Sequence, residues 1–219
     1  MIRVGCYVDG FNLYHAVDDL HKPYLKWLDL RALAQSLCRK DEQLAKVAYF
    51  SAYATWLPAS YARHRPYVAA LRHTGVECHM ARFSEQSAKC HKCGATWKRH
   101  EEKETDVHFS LTFLEDAIDG VFDRAIIISA DSDHVPAARR VRNRLPAKEV
   151  FVATPPGRHS MARELLKVCN SGTNITSGRI ARCLLPQILT DAKGNQIALR
   201  PSSYDPPPGW TPPPPPQAP

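Results

Sequence analysis

Four aspartates, Asp9, Asp106, Asp131 and Asp133, stand where a parallel α/β sheet would present its ligands. Asp9 closes the apolar run IRVGCYV, and Asp131 and Asp133 follow the apolar run RAIIIS. Asp106 falls in the first turn of the helix that precedes the second run. Open parallel sheets bind ligands at the carboxyl ends of their strands, so these acids share one edge. Carboxylates gathered there repel one another unless a cation sits among them. Hard ions such as Mg²⁺ or Mn²⁺ take oxygen ligands, and one or two of them would activate water at a phosphodiester and steady its leaving oxygen. Each acid also has a plainer role open to it: turn chemistry for Asp9-Gly10, helix capping for Asp131 or Asp133, and dipole complementation for Asp106. Asn12 adds an amide on the first loop, and Ser129 and Ser132 add hydroxyls near the second. His134 reads as a structural histidine or a proton shuttle.

The elements that position these groups are legible as hydrophobic runs. Strands are expected at residues 2–8, 46–54, 76–83, 124–129 and 149–153, the fourth being apolar without alternation, as a central parallel strand is. Helices are expected between them: Asn12 to Leu20, Leu28 to Cys38, Ser60 to His73, Thr105 onward, a helix ending near Arg144, and Ser160 to Val168. Ser60 and Thr105 are the expected caps, and Gly75 is the expected stop. Val107, Leu111, Leu114 and Ile118 recur at helical spacing and predict the buried face of the fourth helix. The alternation predicts a three-layer α/β/α sandwich around a mostly parallel sheet, as one domain over residues 1–185.

The chain has 219 residues and a net charge of +7 that is unevenly spread. Between Arg139 and Arg182 ten basic residues face only Glu149 and Glu164. Such a face suits a polyanion, although a solvated surface would look the same. The Arg139, Arg140 and Arg142 run is the part expected to position a strand. The N-terminus lacks the layout of a signal peptide, and no apolar window approaches the roughly 18 residues of a membrane span. Seven cysteines, odd in number and irregular in spacing, fit a reducing compartment. A cytoplasmic protein with no membrane partner is expected.

A hydrophilic insert at about 84–104 holds CHKCGATWKRH. Cys90 and Cys93 have the spacing of half a zinc ribbon. His100, Cys78, His79 or His91 could complete a structural Zn²⁺ site, or a second copy of the chain could do so in a homo-oligomer. The alternative is a pair of free thiols. Lys98 and Arg99 beside Trp97 make a basic and aromatic mixture able to grip single-stranded nucleic acid. After an extension at 186–201, residues 202–219 become proline-rich (YDPPPGWTPPPPPQAP). They read as a solvated, disordered polyproline-II tail, or as a ligand for a polyproline-binding partner.

Three stretches taken together carry a resemblance: YVDGFNLYHA (7–16), KETDVHFSL (103–111) and SADSDHVPAAR (129–139). In this order they resemble the NYN domains of the PIN-like nuclease superfamily, over roughly residues 2–185. The resemblance implies a PIN-like fold, a divalent-metal site and RNA as substrate. Asp9 and Asn12 match its first motif, Asp106 its helix acid, and Asp131 and Asp133 its last motif. Ala130 departs from the pattern, standing where relatives commonly carry glycine. The implied function is a metal-dependent ribonuclease. The alternative is a non-catalytic RNA-binding or regulatory protein that keeps the metal pocket.

Overall fold

In the computed structural model, which describes residues 1–214, β1 (Ile2–Asp9) is buried from Val4 to Asp9. Its side chains alternate between two cores: Val4, Cys6 and Val8 enter one, and Tyr7 enters the other. A strand buried on both faces must lie inside a sheet with helices on either side. Here β1 pairs in parallel with β2 (Glu42–Ala52) on one flank and β5 (Arg124–Ile128) on the other. Chain order runs α1 (Gly10–Asp18) and α2 (Leu30–Gln35) before β2, then α3 (Pro58–His73) and β3 (Glu77–Lys89). β4 (Thr96–Lys103) and α4 (Thr105–Ile118) lead into β5, followed by α5 (Val135–Arg144), β6 (Glu149–Thr154), α6 (Arg163–Val168) and β7 (Ser171–Asn174). The seven strands lie in the order β4-β3-β2-β1-β5-β6-β7, parallel throughout except for β4.

This order fixes where a site can form. The chain winds outward from β1 through β2 and β3, then returns to add β5 on the other side of β1. The winding therefore reverses between β1 and β5, and the loops leaving their carboxyl ends diverge to opposite faces. The α1, α2 and α3 side packs Leu13, Leu33 and Leu71 against the sheet. The opposite side packs Phe109 and Phe113 of α4 with Val141 of α5 and Leu165 of α6.

The expected α/β/α sandwich is the observed fold, and four details differ. First, the buried face of α4 is Thr105, Phe109, Phe113 and Ala117, whereas Val107, Leu111 and Ile118 are exposed. The helix is apolar along two stripes, and the aromatic stripe, which fills more volume, is the one that packs. Second, the insert is no loop: β3 runs on to Lys89 and pairs antiparallel with β4, so residues 84–104 extend the sheet as a hairpin. Third, residues 186–201 form a hairpin of β8 (Ile188–Thr190) and β9 (Gln196–Leu199), after the short α7 (Ser177–Ala181). Leu189 and Ala198 there join a third core around Trp27, whose indole N–H donates to the Pro186 carbonyl at 2.8 Å. Fourth, the tail does not begin as a solvated segment. Tyr204 is buried, and Trp210 packs on Tyr24 at 4.9 Å between ring centroids, because both aromatic rings find apolar partners. Residues 215–219 of the expected tail lie outside the described residues. Among the described residues, no helix is long and apolar enough to cross a membrane.

Candidate metal centre

Asp9 is both the last residue of β1 and the N-cap of α1, its Oδ1 accepting the Asn12 backbone N–H at 3.0 Å. The turn is tight: a Cβ on Gly10 would lie 2.5 Å from the Phe50 carbonyl oxygen. Only glycine allows α1 to start this close to β2. From the neighbouring strand end, the Ser129 hydroxyl donates to Asp9 Oδ2 at 2.9 Å and accepts the Asp131 N–H at 3.0 Å. The Asn12 side-chain oxygen accepts the Ala130 N–H at 3.0 Å. These bonds tie the two diverging loops into one rigid floor. Ala130 is accommodated because its backbone is not left-handed.

His134 closes the cluster from above. It is fully buried and stacks on Phe109 of α4 at 3.9 Å. Its Nε2 lies 3.2 Å from Asp9 Oδ2 and 4.0 Å from Asp106 Oδ1. A carboxylate can only accept, so Nε2 carries the proton. The buried Nδ1 has no hydrogen-bond partner. Asp106 sits in the first turn of α4, whose start is held by Glu102: its Oε1 accepts the Thr105 N–H at 2.9 Å and the Thr105 hydroxyl. Thr105 is therefore capped by Glu102 and is not itself the cap. One ligand atom each from Asp9, Asp106 and His134 lies within 4.8 Å of the others.

The charges are arranged for a cation. Burial works against ionisation of Asp9, yet His134, the Asn12 N–H and the Ser129 hydroxyl together hold its carboxyl below the ordinary range. Burial raises the Asp106 carboxyl; the neighbouring Asp9, Asp131 and Glu102 charges add to this, and His134 opposes it. The imidazole N–H thus stands between two carboxylates where a positive ion would relieve the same repulsion. The donor set, two carboxylates and an imidazole whose Nε2 faces them, fits a divalent metal once that nitrogen gives up its proton.

Of the four expected acids, Asp9 and Asp106 come together. Asp131 stands at the rim, near enough for its charge to act on Asp106, with Oδ1 accepting the Asp133 N–H at 3.0 Å. Asp133 and Ser132 are exposed on the short turn that Asp131 caps, outside the three-residue cluster. His134, expected as a structural histidine or a proton shuttle, stands in the cluster itself. Its signal was position: it follows a strand-end D-x-D and opens the first turn of a helix, which aims it back over the strand ends.

The zinc set does not assemble with His100. Glu85 pairs with His100 while Lys89 pairs with Thr96, so His100 lies four residues down the hairpin, roughly 13 Å from the turn that carries Cys90 and Cys93. His100 instead stacks on Trp56 at 3.9 Å and bonds Glu85 at 3.3 Å. Among the described residues Cys90 and Cys93 belong to no group of three ligands. The basic run also divides. Arg139 and Arg140 are exposed on α5, but Arg142 donates to the Val168 carbonyl at 2.7 Å and anchors α6. On the hairpin Arg99 is exposed, and Lys98 pairs with Glu85 at 2.8 Å.

The doubly wound α/β sheet carries this acid and imidazole cluster at its reversal point. A family model of the NYN domain matches residues 3–176, and the chain belongs to that family, within the PIN-like nuclease superfamily. It is 25% identical to 6-hydroxy-3-succinoylpyridine 3-monooxygenase HspA of Pseudomonas putida (strain DSM 28022 / S16), covering 93% of this chain and 75% of that one. In fold it is similar to a crystal structure of a protein of unknown function from Vibrio parahaemolyticus, with a TM-score of 0.55 and 21% identity. That likeness covers 84% of this chain and 96% of the other.

Proposed function

We propose that this protein is a divalent-metal-dependent ribonuclease that hydrolyses RNA phosphodiester bonds. The observation that carries the reading is the Asp9, Asp106 and His134 cluster at the reversal point of an NYN fold. Asp9, Asp106 and His134 would hold the ion, with Asp131 at the rim. When bound, such an ion neutralises phosphate charge and lowers the pKa of water. The imidazole tips the preference toward Mn²⁺ over Mg²⁺, because nitrogen donors suit the later ion better.

The chain's own residues do the rest. The Ser129 hydroxyl and the Asn12 backbone N–H fix the Asp9 carboxylate, so it need not reorganise when substrate arrives. Exposed Arg139 and Arg140 on α5 and Arg99 on the hairpin would supply phosphate contacts. Replacing Asp106 by Asn should abolish metal-dependent cleavage of RNA while leaving the fold intact; undiminished cleavage would remove the assignment.

One observation favours a second reading. The relative HspA is named for oxidation of a pyridine, and this chain has a cavity with Gly10, Trp56 and Phe83 in its walls. A small heteroaromatic substrate would place this protein outside nucleic-acid chemistry. Turnover of hydroxypyridines by the purified protein with O₂ and an added two-electron reductant would support it.

A further inference from the structure

On the α1 and α3 side of the sheet lies a cavity of about 300 Å³. Well-packed interiors keep few voids larger than a water molecule, and this volume is in the range of ligand sites. Its walls come from both ends of the fold. Gly10, Phe11 and Tyr14 approach from α1, Trp56 and His64 from the start of α3 and the loop before it, and Phe83 from β3. The aromatic walls are braced: Trp56 meets Phe83 edge-to-face at 4.5 Å and is backed by His100 at 3.9 Å, and Phe11 meets Phe83 at 5.8 Å. The hairpin of β3 and β4 thus has a use beyond its charge, since it holds the outer wall in place.

We infer that this cavity receives one unstacked nucleobase of the RNA whose phosphate lies at Asp9, an inference that rests on the ribonuclease reading. Three features select a base over a purely apolar guest. Seven of the lining residues are Phe, Tyr or Trp, and every base offers a flat face that stacks on such rings regardless of sequence. Polar groups are set into the walls: His64 Nε2 lies 3.2 Å from the Tyr49 hydroxyl, and the Ser51 side chain borders the same space. Burial holds the His64 imidazole down to about 4, so at neutral pH it meets a base edge as an uncharged hydrogen-bonding group. Finally, Gly10 is both a cavity wall and the covalent neighbour of Asp9, so the cavity and the metal-site carboxylate meet at the same strand end.

The test has two arms on the full-length protein. Without metal, tryptophan fluorescence is titrated with nucleoside monophosphates, with ribose 5-phosphate and with a pyridine carboxylate. The expected result is quenching by the nucleotides at least tenfold tighter than by the other two, lost in Trp56→Phe and weakened about tenfold in Ala54→Phe, which fills the cavity. With Mn²⁺, a wild-type digest of an RNA carrying one abasic nucleotide should show cleavage reduced about tenfold at that nucleotide alone. Equal binding of ribose 5-phosphate, preferred binding of the free pyridine ring, or unchanged cleavage at the abasic position would each overturn the inference. Absence of all cleavage with nucleotide-selective quenching would remove the ribonuclease reading and leave the base pocket standing.

Discussion

His134 and Asp9, 125 positions apart, meet through a 3.2 Å contact between imidazole Nε2 and carboxylate Oδ2. The contact joins the two strands between which the sheet reverses its winding, and Phe109 holds the ring flat against it. In the proposed site this imidazole either binds the ion or orients the carboxylate that does. Either role gives the same direction. His134→Gln should weaken Mn²⁺ binding by about 10- to 100-fold, the usual range for losing a ligand's partner, as read by calorimetry. Unaltered affinity in a folded variant would reduce His134 to a core residue.

Gly10 sets the geometry on the other side of Asp9. A methyl group there would press to 2.5 Å from a backbone oxygen and 2.6 Å from the Tyr49 ring, and backbone cannot yield cheaply. Gly10→Ala should therefore destabilise by about 1–3 kcal/mol in urea denaturation and also reduce activity by displacing Asp9. Wild-type stability in that variant would contradict the packing at this turn.

At the opposite end of the sheet, Arg124 and Glu42 form an ion pair at 3.0 Å, with both side chains almost completely buried. Arg39 and Glu149 extend it toward solvent. Removing one partner strands the other charge, so Arg124→Ala should cost about 3–5 kcal/mol. The site lies at the far ends of β1 and β5, so residual cleavage by the folded fraction should be normal.

His64 gives a pH dependence of definite sign. Unfolded, its imidazole titrates near 6.5; folded, burial lowers this to about 4. Above pH 6.5 it is neutral in both states and contributes nothing. As pH falls from 6.5 toward 4, only the unfolded chain takes up the proton, so stability declines, by at most about 3 kcal/mol, and then levels off. Urea midpoints at pH 7.5 and pH 4.5 should differ by less in His64→Gln than in wild type. Equal slopes would show that His64 is solvated in the folded state.

The strand runs of the sequence were enough for the layers, because buried parallel strands are apolar on both faces and need no partner to be seen. The acids Asp9 and Asp106 were legible for the same reason, being anchored to the ends of recognisable elements. What escaped was decided by tertiary contacts. In α4 both Val107-Leu111-Ile118 and Phe109-Phe113-Ala117 have helical spacing, and only the sheet selects between them. His134 gained its role from a ring on another helix. The Arg142 guanidinium bonds a carbonyl 26 residues away, a partner no local pattern could show. The hairpin of residues 84–104 is polar on both faces, so it carries no hydrophobic period by which a strand could be found.

The most direct measurement is cleavage of single-stranded and structured RNA by wild type and Asp9→Asn, each with Mn²⁺, with Mg²⁺ and with EDTA. Cleavage that requires the ion, is stronger with Mn²⁺, and disappears in Asp9→Asn is the predicted result. No cleavage by wild type under any of these conditions, or equal cleavage by both proteins, would contradict the account.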